Sequence, residues 1–451
     1  MSIKPILLLA CLAIVQGDER KFPNDFLFGI ASSAYQIEGG WNENGKGENI
    51  WDRYSHKHPE NILDGSNGDV SCDSYHKYKE DIKILKNLGV DVYRFSLSWT
   101  RILPTGYINK INPDGIHYYN NLINELIENK ITPMITIYHW DLPQSIQEVG
   151  GWPNPLIADY FVDFARVAFE NFGDRVKLWI TLNEPYHICA TSYGTGAFAP
   201  GYKRAGIADY MCSYTALLAH AKVYHMYNEE FRHKQQGKVG ISLDAFWYEP
   251  KTNSAEDKEA AELALQMTYG WFVHPIYSKQ GDFPAIMKQR VLNMSLIENY
   301  RRSRLPEFTK EQIKYIQGTS DFLGLNHYST FTAEFSDNPD TTNPYYSRDM
   351  GINLEQRDTW PATPTYWIKI VPWGLRKLLN WIKDEFDNPD VYITENGMGD
   401  SDGTLNDEQR VNYLREYLGA VLDSILEDGC NVKVYCAWSL ADNFEWSSGY
   451  T

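Results

Sequence analysis

The chain runs to 451 residues, 43% hydrophobic and 22% charged, a balance that excludes a fibrous or disordered protein and permits a large core. Its formal net charge is −17, with 59 acidic against 42 basic side chains, which argues against nucleic acid or an anionic membrane as partner. The cysteines number six, widely spread and without a CxxC pair, which excludes a disulfide framework and the usual zinc and redox motifs.

Residues 1–17, MSIKPILLLACLAIVQG, carry one lysine, an apolar stretch from Ile6 to Val15 and a small residue at Gly17. This pattern predicts a secretory signal peptide and an extracellular glycoprotein, the stretch being too short to span a bilayer; a buried first strand is the other reading. Cleavage removes Lys4 and takes the charge to −18. Of the remaining cysteines, Cys189 and Cys212 fit a bridge across a loop or two buried thiols equally well. Asn293-Met294-Ser295 is a sequon usable on a secreted chain.

Short β-rich apolar runs then recur with helical stretches between them. The runs are 26–35, 92–99, 132–140, 176–185, 238–247, 320–328, 391–397 and 432–440; the stretches 75–89, 118–130, 157–173 and 374–386 repeat apolar residues at three and four positions, as surface helices do. Strand, crossover helix, strand, eight times over without a linker, predicts a closed (β/α)₈ TIM barrel in one domain, 18–451, rather than an open doubly wound sheet. The open sheet would bring a nucleotide or nucleophile motif. GTG at 194–196 lacks the glycine spacing of a dinucleotide site, and neither a Walker A nor a G-x-S-x-G sequence is present. Long loops at 40–70, 186–210 and 329–370 follow strands, and so gather at the C-terminal mouth where barrel active sites form.

The strand ends carry polar residues: Gln36 and Glu38, Arg94, His139 and Trp140, Asn183 and Glu184, Asn326 and Tyr328, Glu395 and Asn396, then Trp438 leading to Glu445 and Trp446. Singly, each has a plain explanation: a buried ion pair, a hydrogen-bonded core histidine, a turn asparagine. A glutamate entering an apolar interior is costly unless paired or put to use, and Glu184 and Glu395 both end apolar runs at the same strand pole. One protonated and one ionised carboxyl suit glycosidic cleavage, where the leaving oxygen takes a proton while the anomeric carbon is attacked. No cofactor is needed. A metal site built from Glu184, Glu395, His139 and Glu445 is the chemical rival, but no HExxH or compact ligand cluster supports it.

The blocks FLFGIASSAYQIEGGWNENGKGENIWD (26–52), YHKYKEDI (75–82), YRFSLSW (93–99), YHWDLPQ (138–144), LNEP (182–185), LNHY (325–328), ITENG (393–397) and WSLADNFEW (438–446) resemble glycoside hydrolase family 1, the β-glucosidase family, and in particular its secreted insect and animal members. They occur in the family's order over residues 22–451. The resemblance implies Glu184 as acid/base and Glu395 as nucleophile, with Arg94, Asn326 and Tyr328 supporting them. It implies Gln36, His139, Asn183 and Glu445 as holders of glucose hydroxyls, Trp438 as stacking platform, Trp446 as a further contact and Trp367 as the aglycone wall. Trp367 packed beneath the helix at 374–386 is the alternative for that residue. Members of the family continue with a closing helix beyond NFEWSSGY; this sequence stops at Thr451, so a C-terminally incomplete domain without the final crossover helix is expected.

The expected function is therefore a retaining β-glucosidase acting on small aryl or alkyl glucosides or short β-glucooligosaccharides, without cofactor or metal, as a monomer or homodimer. A thioglucosidase (myrosinase) acting on glucosinolates is the first alternative. Against it stand an intact Glu184 and the absence of a cation at Ala190 and Phe331, just beyond the two key strand ends, with His187 as a partial substitute. A non-catalytic sugar-binding or receptor-partner protein is the second alternative.

Overall fold

Every apolar run contains a parallel strand. The computed structural model describes residues 20–336, 344–401 and 403–451; the leader expected at 1–17 lies outside them. The described strands are β1 (Leu27–Ala31), β2 (Val92–Ser96), β3 (Thr132–Tyr138), β4 (Leu178–Asn183), β5 (Lys238–Asp244), β6 (Trp247–Pro250), β7 (Leu323–Asn326), β8 (Thr330–Phe335), β9 (Ile352–Glu355), β10 (Val391–Asn396) and β11 (Val432–Trp438). Eight of them close a barrel in the order β1-β11-β10-β7-β5-β4-β3-β2. A closed parallel sheet is buried on both faces, which is why its strands read as nearly unbroken apolar runs. Inside, Val92, Met134, Ile180, Val434 and Cys436 fill one cluster, and a larger one lies between barrel and helices.

Among the described residues, seven crossover helices surround it: α1 (Ser74–Leu88), α2 (Pro113–Glu128), α3 (Ile157–Phe172), α4 (Ala208–Met226), α5 (Ala255–Tyr277), α6 (Pro372–Glu385) and α7 (Glu408–Leu426). Helix α2 begins five residues ahead of the periodic stretch at 118–130 because Asn112 accepts from the Asp114 N–H and Pro113 opens the first turn. Helix α1 stops at Gly89, whose φ of +71° suits a residue without Cβ. Helix α5 opens on a charged, exposed turn and is then buried on nearly all sides from Ala260 to Ile276, so periodicity does not mark it. Among the described residues only a 3₁₀ turn, Trp446–Ser448, follows β11.

The loops at the mouth have their own scaffolding. Strands β6, β8 and β9 form a small second sheet, grown from the connections after β5 and β7; β6 begins at the end of the run 238–247, and β8 and β9 lie in the stretch 329–370 expected to be a long loop. After β4 comes a π-helical turn, His187–Thr195, and a Cys189–Cys212 disulfide staples it to α4. Between the two sequence readings of these cysteines, the bridge is the one observed.

Glu38 does not face the mouth with Gln36. It turns away to the buried Arg101, which donates through Nε at 2.8 Å, while the Tyr119 hydroxyl donates to its other oxygen at 2.5 Å. Arg101 also donates to the Gly39 carbonyl and lies 4.1 Å over the Tyr75 ring. This knot ties the β1 loop, and with it Gln36, to the segments after β2. Glu38→Ala leaves the guanidinium buried and uncompensated, and a loss of about 3–5 kcal/mol is expected in urea unfolding; a loss below about 1 kcal/mol would mean that water reaches Arg101 readily.

Candidate active site

At the C-terminal pole of the barrel the buried Arg94 projects from β2 and satisfies its donors across the interior. Nε donates to Thr136 Oγ1 on β3 at 3.0 Å, Nη2 to Asn183 Oδ1 on β4 at 2.6 Å, and Nη1 to the Thr394 carbonyl at 3.0 Å and Glu395 Oε1 at 2.7 Å on β10. Glu395 is 3% exposed, and its second oxygen accepts from the Tyr328 hydroxyl at 2.6 Å. Both oxygens are thus met by donors, one of them cationic, an environment made for a carboxylate.

Glu184 is placed differently. It follows β4 with φ +47°, its N–H donating to the Ser242 carbonyl of β5 at 2.8 Å. Its oxygens accept only neutral amides, Asn326 Nδ2 at 2.9 Å and Asn183 Nδ2 at 3.1 Å. Burial raises its carboxyl well above the usual range, and the negative charges of Glu395 and then Asp244 add to the effect. The same residue type therefore occurs once as a paired anion and once as a group biased to keep its proton.

Two strand irregularities aim these groups. The β4–β5 register shifts between Ile180 and Asn183, and the β10–β7 register between Ile393 and Glu395. Such bulges re-aim side chains near active sites, here bringing both glutamates into the mouth. Beneath them Ser242 donates to Asn326 Oδ1 at 2.9 Å, Thr394 donates to the same oxygen at 2.7 Å, and the two hydroxyls lie 2.5 Å apart. Asn326 is thereby fixed with its NH₂ toward Glu184. Sequence reading passed over Thr136, Ser242 and Thr394; a hydroxyl recurring within each apolar strand was the available signal.

The remaining residues line the same mouth. Asn183 Oδ1 takes both Arg94 and Asn326, so its NH₂ faces Glu184 and His139 Nε2, the latter at 3.1 Å. Burial, with Arg94 behind it, pushes His139 well below its usual value and keeps the ring neutral. That ring stacks on Trp438 and Trp446 with centroids 5.8 and 5.9 Å away. Gln36 is held by Ser33, donates to Asn443 Oδ1 at 2.8 Å and reaches Glu445 at 3.4 Å. Asn443 is an addition that sequence reading missed, since it lies in a loop between two stronger signals. Glu445 reaches the water of the mouth yet is ringed by protein, and this enclosure, then Glu395, pushes it up to about 7. Trp367 meets Tyr328 at 5.6 Å and Phe246 at 6.1 Å between ring centroids, and Phe331 meets Phe246 at 5.1 Å. An aromatic wall thus stands beside Glu395. Asn396 faces away, donating to the His327 carbonyl and Tyr413.

Among the described residues no group of three or more His, Cys, Asp and Glu side chains is placed to hold a metal ion, and no helix is long and apolar enough to cross a membrane. What the arrangement offers is a proton donor and an anion at one mouth, flanked by hydroxyl-binding amides and flat rings.

The family profile described as Glycosyl hydrolase family 1 matches residues 18–451. Myrosinase 1 of Brevicoryne brassicae is 51% identical over 433 residues, covering 96% of this chain and 92% of that protein. An aphid myrosinase structure superposes with a TM-score of 0.91 at 51% identity, over 95% of this chain and 92% of that one. A rice β-glucosidase variant, described as a covalent complex with glucose, superposes at 0.90 and 39% identity over the same shares.

Because folded Glu184 holds its proton more tightly than an unfolded glutamate near about 4.3, the folded state binds more protons above that pH. The group's contribution to stability therefore falls as pH rises through the window. Urea midpoints should show Glu184→Gln gaining on the unsubstituted protein between about pH 5 and pH 8; a difference independent of pH would contradict the raised affinity.

Proposed function

This chain belongs to glycosyl hydrolase family 1 and is a retaining glycosidase acting on β-glucosides, and we propose that Glu184 is its acid/base and Glu395 its nucleophile. The observation that carries the assignment is the difference between the two carboxyls: Arg94 and Tyr328 donate to both oxygens of Glu395, whereas Glu184 has only amide partners and a raised proton affinity. Glu395 attacks C1 from one side of the sugar as Glu184 gives its proton to the leaving oxygen, forming a covalent glucosyl-enzyme. Glu184, now ionised, takes a proton from water, which attacks C1 and releases glucose and free Glu395. The covalent complex of the rice relative supports this two-step course.

Gln36, His139, Asn183 and Glu445 would hold the glucose hydroxyls over Trp438, with Trp446 closing the subsite. Asn326, Arg94 and Tyr328 support the two carboxyls. The aglycone would rest on Trp367, Phe246 and Phe331. These apolar rings suit aryl groups and the flat faces of a second sugar, and they support small O-β-glucosides as substrates.

The thioglucosidase reading has the stronger support from similarity, through the 51% identical aphid relative. The site chemistry pulls the other way: Glu184 supplies a proton that a thiolate leaving group needs less, Ala190 and Phe331 bring no cation to a sulfate, and His187 lies 3.4 Å from Asp244. Secretion and glycosylation at Asn293 are part of the proposal, supported by the leader-like 1–17 segment, the disulfide and the exposure of Asn293 on its helix. A mass loss on enzymatic removal of Asn-linked glycans from the secreted protein, abolished in Asn293→Gln, is the check.

Glu184→Gln is expected to lower kcat/KM for alkyl glucosides by about 10²–10⁴ while sparing the glucosylation step for aryl glucosides with very good leaving groups. Equal losses on both would refute the acid role. On the native enzyme, kcat/KM for an aryl O-glucoside should exceed that for a sulfated thioglucoside; the reverse order would establish the myrosinase reading.

A further inference from the structure

Asp244 ends β5, and no step of the reaction above is assigned to it. Two residues before it, Ser242 points into the barrel, where it bonds Asn326 and Thr394. Side chains alternate along a strand, so Asp244 lies on that same inner face, one layer nearer the mouth. Its register partner is Asn326, the residue that donates to Glu184 Oε1, and the Glu184 N–H is bonded to the Ser242 carbonyl on the same strand. A second carboxyl is thus built into the wall directly beside Glu184. It is not left alone: His187, three residues after Glu184 on the π-helical turn, brings Nε2 to 3.4 Å from Asp244 Oδ2, while its Nδ1 lies 3.0 Å from Thr191 Oγ1. The Cys189–Cys212 bridge fixes the turn that carries His187.

We propose that the Asp244–His187 pair is a positioning element for Glu184, through which β5 sets the alkaline edge of activity; this rests on the reading of Glu184 as the acid. Glu184 must be protonated to serve the leaving oxygen, and Asp244 on the neighbouring strand, when ionised, keeps it so to higher pH, although burial raises Asp244's own carboxyl as well. His187, at ion-pair distance, draws the Asp244 carboxyl back toward its ionised form. The other ionisable groups near Asp244 are the phenols of Tyr186, Tyr248, Tyr269 and Tyr346, from the β4 loop, β6, α5 and the short helix Tyr346–Met350 within the 329–370 stretch. Burial first and Asp244 among the neighbouring charges hold all four protonated. They therefore cannot mimic a titration near neutrality. The direction of the Glu184 shift, in which Asp244 takes part, agrees with the geometry.

The test is the pH profile of kcat/KM for the full chain and for Asp244→Asn, His187→Gln and Glu184→Gln, each with an alkyl glucoside and an activated aryl glucoside. Asp244→Asn should move the alkaline limb down by about one pH unit and leave the acid limb in place. Above the optimum it should cost the alkyl glucoside about tenfold more than the aryl one, and Asp244→Glu should restore the limb in part. His187→Gln removes the group that favours ionised Asp244, so it should move the limb the same way by a smaller amount, and it reports on the pair even if Asp244→Asn fails to fold. An unmoved limb in a folded Asp244→Asn protein overturns the proposal, as does movement in opposite directions for the two substitutions. Glu184→Gln separates the two levels: loss of the alkaline limb upholds Glu184 as the acid whatever Asp244 does, whereas its persistence removes the acid assignment itself.

Discussion

A guanidinium with no access to water sits at the centre of the barrel mouth, and the site is arranged around the need to satisfy it. Arg94 is 0% exposed, and a charge so placed is tolerable only when its donors find partners and its charge an anion. The partners come from β3, β4 and β10: Thr136, Asn183, the Thr394 carbonyl and Glu395. One side chain thereby sets the distances between strands that are far apart in sequence. Such a buried pair adds little to stability compared with well-packed apolar residues. Its effect is to fix where Glu395 points and which way the Asn183 amide is turned, and the Asn183 NH₂ in turn fixes the environment of Glu184.

From this constraint the division of labour between two identical residue types follows. Glu395 is near a full positive charge and a phenol; Glu184 is near amides, burial and other carboxyls. The neutral His139 and the raised Glu445 continue the same logic, since burial beside Arg94 keeps the imidazole uncharged while enclosure and Glu395 oppose ionisation of the carboxyl. Charge in the mouth is thus concentrated on the Arg94–Glu395 axis, where positive charge develops on the sugar during the reaction.

The barrel was legible because parallel strands buried on both faces leave continuous apolar runs, whereas the start of α2 was not, since periodicity marked 118 and the Asn112-Pro113 cap places it at Pro113. Helix α5 and the β6-β8-β9 sheet were not legible either, the first for want of periodicity and the second because β6 runs on from the barrel run at 238–247 while β8 and β9 lie in the stretch read as a loop, 329–370. The site was legible as a set of polar strand ends, and all the residues proposed for it meet at one mouth. The bulges at 180–183 and 393–395 were not legible, because a register shift depends on the partner strand. Glu38 and Asn396 sat in the same pattern as Gln36 and Glu395 but face other ways, the first drawn off by Arg101 and the second by His327 and Tyr413. Asp244 escaped notice because an acidic residue after an apolar strand is an ordinary way for a loop to begin.

The central claim is that Glu395 attacks the sugar while Glu184 supplies the proton, so that two inversions leave the anomeric configuration unchanged. The most direct measurement is proton NMR of the glucose first released from an aryl β-glucoside, followed faster than mutarotation. The account predicts the β-anomer as the first product, with the α-anomer growing in only at the mutarotation rate. Initial release of α-glucose would mean a single inversion and would contradict the assignment of Glu395 as nucleophile.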